Sequence, residues 1–451
     1  MHMYPMNEEQ ILFEMNLRKK INQPIEHAYL DVDKFNPVIF DTLKQHSLSL
    51  NTDNSMINDD IIYLENDAND NMYYLDCHSG LIYVLIDNKF HTIFYGNNSS
   101  QFDIFDACYF RKYLTDEKFR NSSLAMSEFG EILSLHYLGT SLENIFSTPI
   151  LEYTVNSKKD LKEIITHLNE SLSKSRFFVK LWFRGQRTEY LTHRTRTTLN
   201  KLGIPETFSD FPSLIPSVGR CITKDNFYDI RTQNMYWNEA LGVWRLTQSA
   251  EFSEEFSPGK PLYNKIIKSI DPVHMAKFRF EYPYDLSEYL DGASRSHKSN
   301  ILTTQQYGGY SSMLDITDDL DVALFFTQSY FNTRTKKFEI CNSTDSNVIY
   351  VFAQGRNTST VDMSKEAFYY SLYDDKIELP KRISNQKCGL LTGANALGYN
   401  AYAYSIIAKI KLNCIDASTT RTVEDMFPSM QEDSLYRTFF DAQPKLEGLY
   451  G

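Results

Sequence analysis

The sequence predicts an α+β protein made of a smaller N-terminal module and a larger C-terminal one. Three observations carry that expectation. Short apolar and aromatic runs flank Gly80, the pattern of an antiparallel hairpin. Leu161, Ile164, Ile165, Leu168 and Leu172 recur at helical spacing. Phe177-Phe178-Val179-Lys180-Leu181-Trp182-Phe183 then supplies an apolar run of the length of one buried strand. A chain of 451 residues exceeds one ordinary core, and the divisions expected are 20–145 and 150–451.

Each element follows from local signals. Ile11, Leu12, Met15 and Leu17 form a rough apolar stripe, so 8–22 reads as a helix. Asn and Asp crowd residues 51–60, and such side chains favour turns by bonding their own backbone. Tyr73-Tyr74-Leu75 and Leu81-Ile82-Tyr83-Val84 surround Cys77-His78-Ser79-Gly80, where Gly80 can take the positive φ of a hairpin turn. Phe90 to Tyr95 reads as a third strand, followed by a helix to about Leu114. The second module begins near Phe146-Ser147-Thr148-Pro149, with a short strand from Leu151 to Val155. Ser157-Lys158-Lys159-Asp160 resembles a capping box and starts the next helix. The apolar run after that helix is expected to stop at Arg184-Gly185-Gln186.

Composition narrows the functional classes. With 42% hydrophobic and 23% charged residues the chain is expected to fold rather than stay disordered. A formal charge of -12 argues against general binding to nucleic acid or anionic membranes. The six cysteines are scattered without a Cys-x-x-Cys pair, which fits a reducing compartment better than a zinc or disulfide framework. The start, Met1-His2-Met3-Tyr4-Pro5, does not read as a signal peptide, and no apolar stretch approaches membrane-spanning length. A cytoplasmic location is therefore expected. The ten histidines are dispersed without paired spacing, so no metal site is expected.

Arg184 is the first candidate for chemistry. A strand holds its guanidinium, the following glycine admits a close neighbour, and the planar fork grips a phosphate or carboxylate at two points. The competing reading is a structural ion pair at a strand end. Arg184, Arg187, His193, Arg194, Arg196 and Lys201 also form a basic run around Tyr190, readable as a phosphate contact or as a solvated face.

Two resemblances extend these readings. Leu75-Asp76, Gly80-Leu81-Ile82-Tyr83 and Asn98-Ser99-Ser100-Gln101-Phe102 follow the order of the hairpin, turn and helix motifs of the SUKH superfamily of immunity domains. Further along stand Phe183-Arg184-Gly185-Gln186, Ser213-Leu214-Ile215-Pro216-Ser217-Val218-Gly219-Arg220, Gln305-Gln306-Tyr307-Gly308-Gly309-Tyr310, and Met313-Leu314-Asp315-Ile316-Thr317. Val322-Ala323-Leu324-Phe325-Phe326, the segment from Arg382 to Leu390 and Met426-Phe427-Pro428 complete the series. In that order they resemble the FRG family over about residues 150–445. Gln306 stands where the family usually has His, Ser312 where it has Arg, and Ile316 where it has Trp.

The FRG segments are in turn similar to the ADP-ribosyltransferases. Phe183-Arg184-Gly185 matches their first element, and Leu314-Asp315-Ile316-Thr317 with Ala323 and Phe326 looks like the second. Gln386, before Leu390-Leu391, falls where their glutamate would lie. The resemblance implies NAD as substrate, with Arg184 on the diphosphate, Thr317 on the nicotinamide ribose and Gln386 bonded to its hydroxyl. Gln386 cannot act as a base, and Glu378 is the nearest carboxylate that could substitute. Gly185, Gln186, Arg220, Tyr307, Gly308 and Asp315 complete the implied ligand set, with no metal. Asp318, Asp319 and Asp321 favour the helix dipole but would repel a diphosphate at that helix start.

The expectation is a SUKH-like module at 20–145 followed by an ADP-ribosyltransferase-like FRG domain at 150–451. The implied function is an intracellular effector of the phage-defence or toxin–antitoxin kind. It would bind NAD or a related nucleotide, transfer ADP-ribose, and meet a protein partner through the N-terminal module. The rival is a non-catalytic FRG-domain interaction protein that recognises a protein partner or ligand; in the purely structural reading, Arg184 and Asp315 form a buried salt bridge.

Overall fold

A computed structural model describes residues 48–50, 61–66, 72–76, 79, 82–86, 89–93, 102–121, 138–141, 146–175, 177–216, 303, 305–307, 313–332, 334, 337–340, 347–355, 369–371, 380–391, 400–413 and 419–442. The helix expected at 8–22 and the turn-rich stretch at 51–60 lie outside the described residues, as do Gly80, Arg220, Gly308 and Glu378. The described chain is α+β.

The first sheet is a meander of six strands in chain order: β1 (Leu48–Leu50), β2 (Ile61–Asn66), β3 (Met72–Asp76), β4 (Ile82–Ile86), β5 (Lys89–Ile93) and β6 (Leu138–Ser141). The hairpin read from sequence is β3–β4, with Tyr74 opposite Tyr83 and Leu75 opposite Ile82. Helix α1 (Phe102–Thr115) and the short α2 (Glu117–Asn121) fall between β5 and β6.

The remaining elements are β7 (Leu151–Val155), α3 (Lys158–Ser173), β8 (Phe178–Gln186), β9 (Leu191–His193), α4 (Arg196–Leu202), β10 (Asp210–Pro212), β11 (Leu314–Thr317), α5 (Leu320–Gln328), β12 (Ser329–Asn332), β13 (Lys337–Ile340), β14 (Val348–Gly355), β15 (Tyr369–Ser371), α6 (Lys381–Gln386), β16 (Cys388–Leu391), β17 (Ile406–Leu412), α7 (Val423–Met426) and α8 (Ser434–Ala442). Seven of the strands form the second sheet, ordered β15-β16-β11-β8-β14-β17-β7. Every pairing in it is antiparallel except β17 with β7, so the sheet is mixed.

Helix α3 forms for the reason its sequence suggests. The Ser157 side chain accepts from the Asp160 N–H at 3.1 Å, while Asp160 reaches back to the Asn156 N–H at 3.4 Å. Leu161, Leu168 and Leu172 are buried against the second sheet beside Ala107 and Phe110 of α1 and Ala323 and Leu324 of α5. These helices cover the face that carries Phe183, Ile349, Val351, Ala408 and Ile410. Each such large apolar side chain stabilises the fold by about 1.5–3 kcal/mol. Helix α1 precedes the boundary expected near 145–150, yet it packs in the core of the second sheet.

A buried ion pair joins the first sheet to the region after β9. Arg194 donates through Nη1 and Nη2 to the two Asp76 carboxylate oxygens, at 3.1 and 2.7 Å, with 1% and 0% of the two side chains exposed. Ser79 and Tyr83 also donate to Asp76, at 2.6 and 2.9 Å, and Arg194 donates to the Tyr404 hydroxyl. Tyr404 stacks on Phe211 with ring centroids 4.8 Å apart. Burial alone would lower the Arg194 pKa, but the Asp76 charge and bonds raise it well above its ordinary value. A charge this deep is tolerated because both partners are multiply hydrogen-bonded.

Helix α1 contributes a further polar group, the half-buried Asp106. The Asp106 carboxyl lies against Gly355 at the end of β14 and takes a backbone hydrogen bond there. Burial pushes its pKa up to about 8.

Removing one member of the ion pair strands the other. Arg194→Met is expected to cost about 3–5 kcal/mol, and an Arg194→Met/Asp76→Leu double variant less than the sum of the singles. A double-mutant cycle by denaturant unfolding measures this, and additive losses would contradict the coupling. For Asp106 the folded state keeps a proton that the unfolded chain, with a pKa of about 3.9, has lost. Its stabilising contribution is full below about pH 4 and is lost as pH rises through about 8. The melting temperature of wild type should therefore fall more steeply from pH 5 to pH 9 than that of Asp106→Asn. Parallel curves would show that Asp106 is not the group responsible.

Candidate functional site

Strand β8 lies fourth in the order of the seven-stranded sheet, paired with β14 on one edge and β11 on the other. Directly opposed antiparallel residues share a sheet face, and neighbours along a strand alternate. Thr317 is opposite Phe183, and Tyr350 is opposite Arg184. Phe183 and Thr317 therefore face the helix layer, while Trp182, Arg184, Gln186 and Tyr350 face away from it.

The sequence reading ended this strand at Arg184. In the structure β8 continues through Arg184, Gly185 and Gln186, because β14 pairs with all three. The expected opening for a ligand at Gly185 is also corrected. A Cβ on Gly185 would lie 1.8 Å from the carbonyl oxygen of Ala323, so α5 fills that space with its own backbone. On the other face Trp182 covers Gly389, where a Cβ would meet its ring at 2.2 Å. The Trp182 indole N–H donates to Gln354 at 2.9 Å.

Arg184 donates through Nη1 to the main-chain oxygen of Asp315 at 2.7 Å. The Asp315 carboxylate takes no part in that bond. It accepts from the side-chain amides of Gln305, at 2.8 Å, and Gln306. The expected Arg184–Asp315 contact is therefore made to a carbonyl, which orients the guanidinium without itself neutralising it. Gln186 lies two residues on, on the same face, and its Oε1 is buried without a hydrogen-bond partner.

Charged residues surround this face. Lys409, opposite Tyr350 on β17, bonds Glu189 at 2.6 Å and Glu152 at 2.8 Å, and Lys411 bonds Glu189 at 3.0 Å. Burial would raise the Glu189 pKa, but the bonds from Lys409 and Lys411 more than offset it and hold the carboxyl below its usual range.

Of the other implied site residues, Thr317, Gln386 and Tyr307 are hydrogen-bonded within the described fold. The Thr317 hydroxyl donates to the Gln386 carbonyl at 3.1 Å and accepts from the Asp319 N–H at 3.2 Å. The Gln386 amide donates to the Met426 carbonyl at 2.8 Å, and its oxygen accepts from the Cys388 thiol at 3.6 Å. Tyr307 donates to Asp433 at 2.6 Å and lies under the Arg382 guanidinium, 5.1 Å from the ring centre. Asp319 caps α5 by accepting from the N–H groups of Asp321 and Val322, and it pairs with Lys387 and Arg421. Asp318 and Asp321 pair with Lys180 and Lys158. The start of α5 is thus capped and neutralised from within.

No family model, curated protein or solved structure matches the chain. Among the described residues no group of His, Cys, Asp and Glu is arranged to hold a metal, and no helix is long and apolar enough to cross a membrane.

The basic run does not form one face. Arg194 is buried on Asp76, Arg187 lies over Tyr330, His193 meets Asp210, Arg196 meets Glu206 and Lys201 lies over Tyr74. Sequence reading missed Tyr350, Glu189 and Lys409, none of which sits in a motif. A tyrosine within the apolar run Val348–Phe352 was the available signal, but its partner strands are distant in sequence.

Because two backbones meet at Gly185, Gly185→Ala is expected to destabilise the protein by at least about 1–3 kcal/mol. Thermal unfolding tests this, and an unchanged melting temperature would contradict the close approach of α5.

Proposed function

We propose that this chain is an effector of the defence or toxin–antitoxin kind, acting in the cytoplasm, whose FRG-type region binds NAD or a related nucleotide through Arg184. The observation that carries the reading is the pairing of Arg184 with Gln186 on the sheet face away from the helices. A guanidinium oriented by the Asp315 carbonyl suits a phosphate. The buried, unpartnered oxygen of Gln186 beside it suits a donor supplied by a ligand. The scattered cysteines, of which Cys108 and Cys388 are buried and in no disulfide, suit a reducing compartment. In this reading the SUKH-like front region is the sensor or inhibitory arm and meets a protein partner.

Binding without transfer is the second reading. It is favoured by the hydrogen bonds that hold Thr317 and Gln386. Thr317 faces the helix layer rather than Arg184, and Gln386 cannot act as a base, so ADP-ribose transfer requires a base from elsewhere in the chain.

Calorimetric titration of the full chain with NAD and with ADP-ribose tests the proposal. Wild type should bind at least one of them. Arg184→Ala should weaken that binding at least about tenfold, the scale of a hydrogen bond to a charged group. Absence of binding by wild type would end the nucleotide reading. Labelled NAD incubated with lysate then separates the two forms, since only a transferase labels a macromolecule.

A further inference from the structure

Tyr350 stands directly opposite Arg184 on β14 and is 0% exposed, yet among the described residues its hydroxyl has no hydrogen-bond partner. Its surroundings are polar. Burial, followed by the charge of Glu189, pushes the phenol pKa up, with Arg184 opposing. Both Glu189 oxygens are taken by Lys409 and Lys411, so the carboxylate beside the phenol is already engaged. A buried hydroxyl left unpaired in a folded protein is costly and uncommon. Here a second unpaired group, Gln186 Oε1, lies on the same face of the same strand pair. Arg184 and Gln186 are each only partly buried, so the strand is not sealed at this point.

We propose that Tyr350 and Gln186 form a hydroxyl-reading pair beside Arg184, so that the ligand is a ribose phosphate rather than a simple phosphate anion. This rests on the nucleotide reading above and adds what the ligand must present. An amide oxygen accepts only, whereas a phenol both donates and accepts. A sugar hydroxyl can donate to Gln186, and its oxygen or a neighbouring one can accept from Tyr350. The adjoining phosphate meets the Arg184 fork. Inorganic pyrophosphate offers the charge without the hydroxyls.

Tyr350→Phe removes the hydroxyl and keeps the ring. Because no group among the described residues bonds that hydroxyl, the variant should fold with an unchanged or higher melting temperature. Its affinity for ADP-ribose should fall about three- to tenfold, the scale of one neutral hydrogen bond. Its affinity for pyrophosphate should match that of wild type, while Arg184→Ala weakens both. Calorimetric titration of the full chain and its two variants with each compound reads these outcomes.

Three results with the Tyr350→Phe variant, and two with wild type, would overturn the proposal. Unchanged ADP-ribose affinity in Tyr350→Phe would mean that the hydroxyl serves only an ordered water. Equal loss for both compounds would mean a general disturbance of Arg184. A lowered melting temperature would reveal a structural partner for the phenol. If wild type binds pyrophosphate but not ADP-ribose, the hydroxyl-reading pair fails. If it binds neither, the nucleotide reading fails and takes this one with it.

Discussion

Strand β8 is hydrogen-bonded along both edges, and its two-residue alternation sets the role of most groups around it. Leu181 and Phe183 belong to the helix layer, and at Gly185 the α5 backbone comes so close that no side chain fits. The intervening residues Trp182, Arg184 and Gln186 go to the other face. A one-residue shift of register would exchange the two sets, placing a guanidinium in the apolar core. The tight contact at Gly185 opposes such a shift. The same constraint that builds the core thus assigns Arg184 to a polar face.

A different constraint holds the first sheet in place. Asp76 and Arg194 lie far apart in the chain, and each would be untenable if buried alone. Together with Ser79, Tyr83 and Tyr404 they satisfy one another, and helix α1 adds an apolar contact with the second sheet. A front module proposed to sense or inhibit is therefore coupled to the rest through a specific charged joint and a shared core.

The functional reading changes in emphasis once these constraints are considered together. The transferase-like pattern placed Arg184, Thr317 and Gln386 in one reaction centre. Alternation puts Thr317 on the opposite face from Arg184, and the Gln386 amide serves the Met426 carbonyl. What remains around Arg184 is a polar cluster, a cation with a buried amide oxygen and a buried phenol on one sheet face, bordered by Lys409, Glu189 and Lys411. Recognition through that cluster is the reading proposed above.

Local signals in the sequence were enough for the α+β class, the β3–β4 hairpin, helix α1, strand β7 and the Ser157 cap of α3. Each depends on residues within one turn or one strand, so neighbouring side chains carry the information. The limits of that reading appear wherever a partner comes from far along the chain. Arg194 looked like one member of a basic run because Asp76, which buries it, lies 118 residues away. Gly185 looked like a gap for a ligand because the carbonyl of Ala323 that fills it arrives with a later helix. Tyr350 became part of a site only when β14 was paired with β8 in a definite register. Periodicity shows which face of an element is apolar, but only the assembled sheet decides what that face meets.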